Sequence, residues 1–410
     1  MKKIFILFTV IIASLTFLFC LSSCSSSETV TLNVYNWGEY ISDGSDDSIN
    51  TIAEFEKWYE KTYNVKMKVN YTTYASNEDL YTKIVNGVNG YDIIIPSDYM
   101  IARLANEDLL EEIDFKNIPN YKYIGDEFKG LYYDPDEKYT VPYTYGITGV
   151  IYNSRHVAEE DVASRSWDVM WNEKYAGKIL QYNNSRDALG TAMYKLGIDV
   201  NTTDHSKWDK AYSELVAQQS LVQAYVMDEI YNKMESGEAW ISSYYAGDYL
   251  TMLENNEDLK FYYPESTNFF IDAMCIPKGS KNKLAAERFI DFMLSEEIAV
   301  ANAEYIYYAS PNTLVLNSEE YKKYMGEEGY DLLYNSFGED FDFASSYDKY
   351  CYKSLDDETL AYVTSLWEKL KIESPMDPSI YIVCGVCIAV IATFFTVIGI
   401  RKKRREKSYN

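Results

Sequence analysis

The sequence predicts an α/β protein of two lobes, each a mainly parallel sheet covered by helices. Between residues 32 and 97 the hydrophobic period alternates in the order β-α-β-α-β, and a second α/β run starts at residue 147. The length agrees: 410 residues exceed one ordinary core and suit two lobes of usual domain size.

The first run can be justified element by element. "LNVYNWGEY", residues 32–40, alternates Leu32 and Val34 with Asn33 and Tyr35, then closes on Trp37, Glu39 and Tyr40. "SINTIAEFEKWYEKTYN" sets Ile49, Ile52, Phe55 and Tyr59 at helical spacing, and "VKMKVNY" alternates as a strand. "SNEDLYTKIVNG" opens with Ser76 three residues before Asp79, a variant of the capping box, and stops at Gly87. "YDIIIPS" is a short apolar run ended by Pro96, in the manner of a buried parallel strand. Ligands of such sheets bind beyond the carboxyl ends of the strands. Trp37, Glu39 and Tyr40 follow the first strand, and Ser97, Asp98 and Tyr99 follow the third, so both clusters are expected to face one crevice.

In the second run "ITGVIYN" reads as a strand, and "SWDVMWNEKYAG" and "RDALGTAMYKLG" read as helices. "AWISSYYAGDYLTML" leads from strand to helix. "FFIDAMCIP" is a further strand, followed by the helix "KNKLAAERFIDFML" with Leu284, Phe289, Phe292 and Met293 on its inner side. Extended crossovers near Tyr143 to Gly149 and near Asp272 to Pro277 are expected to join the lobes as a hinge. The resulting plan assigns 28–142 and the return segment 273–318 to the first lobe. Residues 143–272 and the C-terminal helices of 319–372 make the second.

Both ends suggest a membrane. Residues 1–24 have a basic start, an apolar run and small residues before Cys24, the plan of a secretory leader. Leu21 to Cys24 resembles the bacterial lipobox, which makes Cys24 the lipidation candidate. Residues 379–400 carry no charge and are long enough for a transmembrane helix, and the basic tail 401–410 sets an outside-to-inside orientation. Between these ends the surface is acidic: residues 25–375 hold 30 bases against 61 acids, a net charge of −31. Such a surface draws cations and argues against nucleic acid as a partner. Cys275 and Cys351 are the cysteines left in the external part, and their spacing leaves pairing open.

Two histidines, His156 and His205, do not supply a triad or a metal site, and no phosphate loop or H-E-x-x-H motif occurs. No catalytic residue, metal or cofactor is therefore assigned. What abounds is tyrosine, 41 in all, and carboxylate. Rings cover methylenes and stack under ammonium groups, while carboxylates pair with them, so the expected ligand is a flexible organic cation.

The segments "NVYNWGEYI", "YASNEDLYTKI", "YDIIIPSDYM", "SWDVMWNEKYAGKI", "SRDALGTAMYKLG", "FFIDAMCIPKGSKNK" and "YYASPN" together resemble the spermidine/putrescine-binding proteins of ABC importers. The likeness runs in order from about Thr31 to about Asn312, with a weaker echo at "SLWEKLK". It implies a type II periplasmic-binding fold closing on a polyamine, an importer permease and its ATPase as partners, and no catalysis. By position it implies Trp37, Glu39 and Tyr40 as one contact cluster and Ser97 and Tyr99 as a second. In the other lobe it implies Asn184 and Asp187, then Tyr245, Phe270, Asp272 and Tyr308. Gly38 departs from a common hydroxyl residue, Asn184 from a carboxylate, and a late polar contact falls near Lys353. Asp248 resembles an acid of the putrescine-preferring branch and is expected to compensate for Asn184, which leaves the choice between putrescine and spermidine open. A ferric receptor of the same fold, using Tyr244 and Tyr245, stands as the alternative. Behind it come an extracellular glycosidase using Asp187 and Asp272 and a surface scaffold.

Overall fold

The computed structural model describes residues 29–45, 47–87, 90–336 and 343–373. Cys24, the apolar span 379–400 and the basic tail lie outside the described residues. Among those described, no helix is long and apolar enough to cross a membrane.

Alternating side chains make strands where the sequence expects them. They are β1 (Thr29–Trp37), β2 (Lys66–Tyr74), β3 (Ile93–Ile94), β4 (Thr140–Asn153), β5 (Ile179–Tyr182), β6 (Val222–Val226), β7 (Ile241–Tyr245), β8 (Leu259–Tyr262) and β9 (Phe269–Cys275). They join in the order β2-β1-β3-β9-β4-β7-β5-β6, with β8 paired to β4. The pairs β1–β2, β1–β3, β5–β6 and β5–β7 are parallel, whereas β9 and β4 run antiparallel to their neighbours. The fold is of the α/β class that the sequence predicts.

Strand β4 holds the two halves together. Its segment Thr140–Ile147 pairs with β9, and Thr148–Tyr152 pairs with β7. A register shift falls between Pro142 and Thr144, where proline supplies no N–H to the ladder. One hydrophobic core lies on the β9 side and includes Leu32, Phe55, Ile93, Ile147, Met274 and Phe289. A second lies on the β7 side and includes Val150, Ile179, Trp208, Ile241, Met252 and Val363. The return passage differs from the expected one at 272–277. Strand β8 ends in the second half at Tyr262 and β9 begins in the first at Phe269, so the chain crosses through 263–268. Residues 269–275 are buried without exception and stay inside the sheet, while the polar connector is tied to β4 by Thr148 N–H donating to the Asn268 carbonyl at 3.0 Å.

Two local expectations fail for identifiable reasons. The stretch "SWDVMWNEKYAG" forms two 3₁₀ turns, Trp167–Trp171 and Glu173–Tyr175, instead of a helix. The side chains of Ser166 and Asn172 accept hydrogen bonds from the N–H groups of Asp168 and Lys174, offering the backbone a local alternative to the helical ladder. Helix Lys283–Met293 forms, but Leu284 is 47% exposed; the inner face is Ala285, Ala286, Phe289, Ile290 and Met293, with Phe292 buried beside it. Cys275 and Cys351 are buried free thiols.

This face makes a prediction that urea unfolding can check. Phe289→Ala is expected to cost about 3–5 kcal/mol, while Leu284→Ala costs less than about 1 kcal/mol. Equal losses would place Leu284 in the core after all.

Candidate functional site

Five strand ends converge on one gap between the two cores. β1 ends at Trp37, and the run through β3 ends at Ser97, the N-cap of helix Asp98–Asn106. In the second half β5 leads to Asn184, the N-cap of helix Ser185–Lys195, and β6 leads to Met227 and Asp228. β7 ends at Tyr245, which opens helix Ala246–Asn255. The gap is a narrow slot of about 80 Å³, measured to the centre of a water-sized sphere. Its walls carry all twelve side chains singled out from the sequence: Trp37, Glu39, Tyr40, Ser97, Tyr99, Asn184, Asp187, Tyr245, Asp248, Phe270, Asp272 and Tyr308.

Tyrosine hydroxyls hold the acids in place. Tyr40 donates to Asp272 Oδ2 at 2.6 Å and lies 2.5 Å from Thr144 Oγ1. Asp272 Oδ1 is buried and has no hydrogen-bond partner among the described residues. Asp187 Oδ2 accepts from Tyr245 and from the Asn184 amide, both at 2.7 Å, and Asp248 accepts from the hydroxyls of Tyr231 and Tyr308. Asn184 thus does two jobs. Its Oδ1 caps the helix by accepting from Asp187 N–H at 2.8 Å, and its amide orients the Asp187 carboxylate.

The rings form a continuous wall. Tyr245 meets Phe270 at 5.3 Å, Phe270 meets Tyr308 at 6.2 Å, and Tyr308 meets Tyr40 at 5.1 Å between centroids. Two of them rest on bare backbone: a Cβ at Gly146 would lie 2.5 Å from Phe270 Cζ, and one at Gly247 would lie 2.3 Å from Tyr308 Cδ2. Trp37 is pinned by its indole N–H donating to the Ile95 carbonyl at 3.0 Å, and its ring packs on Tyr74 at 4.6 Å. Asn77 fixes the other corner by accepting from Ser97 N–H at 3.2 Å and donating to Tyr99 Oη, also at 3.2 Å.

Burial dominates the electrostatics. Desolvation pushes Asp272 and Asp248 each up to about 6, opposed by the hydroxyl groups beside them. It also raises Asp187, against the hydrogen bonds from Asn184 and Tyr245. Asp98 rises further, to about 8, through burial, opposed by the hydrogen bonds it accepts from Tyr347 Oη and from the N–H groups of Tyr99 and Ile271.

The sequence reading missed Glu78, Asp228 and Tyr352, which also line the slot. Glu78 follows β2 and accepts from Tyr99 at 3.1 Å; the strand-end rule applied to "VKMKVNY" would have found it. Asp228 follows β6, whose half-exposed residues give no strand signal. Where a late polar contact was expected near Lys353, the neighbouring Tyr352 lines the slot. Lys353 turns away and pairs with Asp348 at 2.9 Å. Of the proposed ferric pair, Tyr245 commits its hydroxyl to Asp187, and among the described residues no three His, Cys, Asp or Glu side chains are grouped to hold a metal.

Known proteins resemble this chain. The profile of the bacterial extracellular solute-binding protein family matches residues 89–335, and that of a hypothetical lipoprotein family, the MG045 family, matches residues 1–126. The spermidine/putrescine-binding periplasmic protein of Salmonella typhimurium is 30% identical over 294 residues, which cover 71% of this chain and 80% of that one. A putrescine-binding periplasmic protein of Escherichia coli is 25% identical over 305 residues, covering 70% and 79%. The crystal structure of a spermidine/putrescine ABC transporter substrate-binding protein from Streptococcus pneumoniae superposes with a TM-score of 0.65 at 31% identity, over 84% of this chain and 99% of that one. The chain belongs to the bacterial extracellular solute-binding proteins, transport receptors that capture a solute and perform no chemistry on it.

Proposed function

We propose that this protein is the extracytoplasmic receptor of an ABC importer for short linear polyamines, handing its ligand to a permease driven by an ATPase. One observation carries the reading: among the described residues the slot is lined by seven acids and nine aromatic side chains, with no Lys, Arg or His on its walls. A polyamine answers both features. Its methylenes gain about 0.8 kcal/mol per buried CH₂ against the rings. Each ammonium gains roughly 0.5–2 kcal/mol over a ring face and about 1.5–3 kcal/mol from a charge-assisted hydrogen bond. Micromolar affinity needs only about 8 kcal/mol of net binding energy, so these terms suffice after ordering costs.

In this reading the twelve wall residues named from the sequence contact the ligand, with Asp272 Oδ1 as the acceptor that lacks a partner until an ammonium arrives. The segments 28–142 and 269–318 act as one lobe and 143–268 with the helices of 319–372 as the other, turning about β4 and the 263–268 crossover. A ligand touching both binds the closed arrangement more tightly and shifts the population toward it. The lipobox-like Cys24 and the match of residues 1–126 to a lipoprotein family support a lipid anchor. The uncharged segment 379–400 supports a second tether.

Calorimetry with putrescine and spermidine tests the reading. Asp272→Asn is expected to weaken binding by about 2–5 kcal/mol, because it leaves a buried ammonium poorly compensated; unchanged affinity would remove Asp272 from the site. The pH dependence has a definite sign. An ammonium favours the ionised acids, so their pKa values fall below about 6 on binding, and affinity is full above pH 7 and declines below pH 6. With two such acids the loss between pH 7.5 and pH 5 is about 100-fold. The empty protein behaves oppositely: these raised pKa values favour the fold at low pH, and that contribution is lost as pH rises through 6. The ligand-induced rise in Tm is therefore larger at pH 7.5 than at pH 5, and an equal rise at both would contradict the assignment.

A further inference from the structure

One strand of the slot carries a polar side chain that neither the fold nor the twelve assigned contacts account for. Along 268–272 the side chains alternate: Asn268, Phe270 and Asp272 line the slot, while Phe269 and Ile271 between them do not. Asn268 is the residue through which the 263–268 crossover enters β9, and strand β4 fixes its backbone on both sides. Its carbonyl accepts from Thr148 N–H at 3.0 Å, and its own N–H donates to Thr148 Oγ1 at 3.3 Å. The neighbouring Thr267 hydroxyl donates to the Thr148 carbonyl at 2.6 Å. The main chain of Asn268 is therefore paired, and its place on the wall is set.

Its side chain is another matter. Asn268 is 3% exposed, and its Oδ1 has no hydrogen-bond partner among the described residues. Seven buried side-chain atoms there share that condition, and the slot walls hold two of them, Asn268 Oδ1 and Asp272 Oδ1. Both belong to one face of one strand segment, on either side of Phe270. The phenols of the slot are committed elsewhere: Tyr40 donates to Asp272, Tyr245 to Asp187 and Tyr308 to Asp248. An acceptor buried without a donor weakens the fold, and the side of Asn268 open to a partner is the slot, so the missing donor comes from whatever fills it.

We propose that Asn268 is a further ligand-binding residue, whose Oδ1 accepts an N–H from the amine held in the slot. The inference rests on the polyamine reading and adds to it a contact made by the crossover itself. A neutral amide oxygen suits this place, because it takes an N–H without adding to the repulsion among the acids around it. A ligand bound there is tied to the segment that joins the two halves as well as to their walls.

Two measurements on the full chain in detergent test the assignment: calorimetric titration with spermidine and putrescine, and thermal unfolding without ligand. Asn268→Leu keeps the side-chain shape and removes its polar atoms, whereas Asn268→Asp keeps an acceptor in the same place. The Leu variant is expected to bind both amines about tenfold or more weakly, with an unliganded Tm level with or above that of the wild type, since the unmet oxygen is gone. The Asp variant binds at least as tightly as the wild type, and it decides alone where the Leu variant does not fold. Wild-type affinity in a folded Leu variant, weak binding coupled to a lowered Tm, or an Asp variant that binds more weakly than the wild type overturns the inference and leaves the polyamine reading standing. A wild type that binds neither amine overturns both.

Discussion

Negative charge that the protein does not neutralise, held in a narrow aromatic slot, is the constraint on which the rest of the structure depends. Asp187, Asp248 and Asp272 receive hydrogen bonds from phenols and an amide, and these bonds limit how far burial raises the acids. None of these donors brings a positive charge. The buried cation nearby, Arg186, is turned away: its guanidinium donates to the Val200 carbonyl and to Asn201 and lies over the Tyr352 ring at 4.6 Å. From there it tempers the field on Asp187 and Glu78 without entering the slot. The sign of the ligand follows from this arrangement, since an anion or a solute carrying its own carboxylate would add repulsion to desolvation.

The same constraint explains the architecture around the slot. Acids this close can be assembled only if separate parts of the backbone bring them in and a stiff frame holds them. The frame is the sheet: many contributing residues stand at strand ends where helix N-termini also begin, and Phe270 and Asp272 come from within β9. Strand β4 spans both cores, so the halves share hydrogen-bonded backbone.

Much of this was legible in the sequence because it is written in periods. The helix over Thr51–Tyr63 and the strand-to-helix passage from Ile241 to Asn255 follow from hydrophobic spacing, and the aromatic–acid clusters at strand ends led to the slot. Resolution was lost where local and distant forces compete. Ser166 and Asn172 drew their neighbours into 3₁₀ turns, and Leu284 satisfies a helical pattern while facing water. Tyr352 and Asp228 were invisible for another reason. Each enters the slot from a segment whose own pattern says nothing about where it ends, and only the packing of the whole chain brings Asp228 against Gly38.

The rings seated on Gly146 and Gly247 constrain how such a receptor can diverge. A side chain at either glycine would collide with Phe270 or Tyr308, so each ring and its seat can be exchanged only together, and even an alanine there would have to move a wall of the slot.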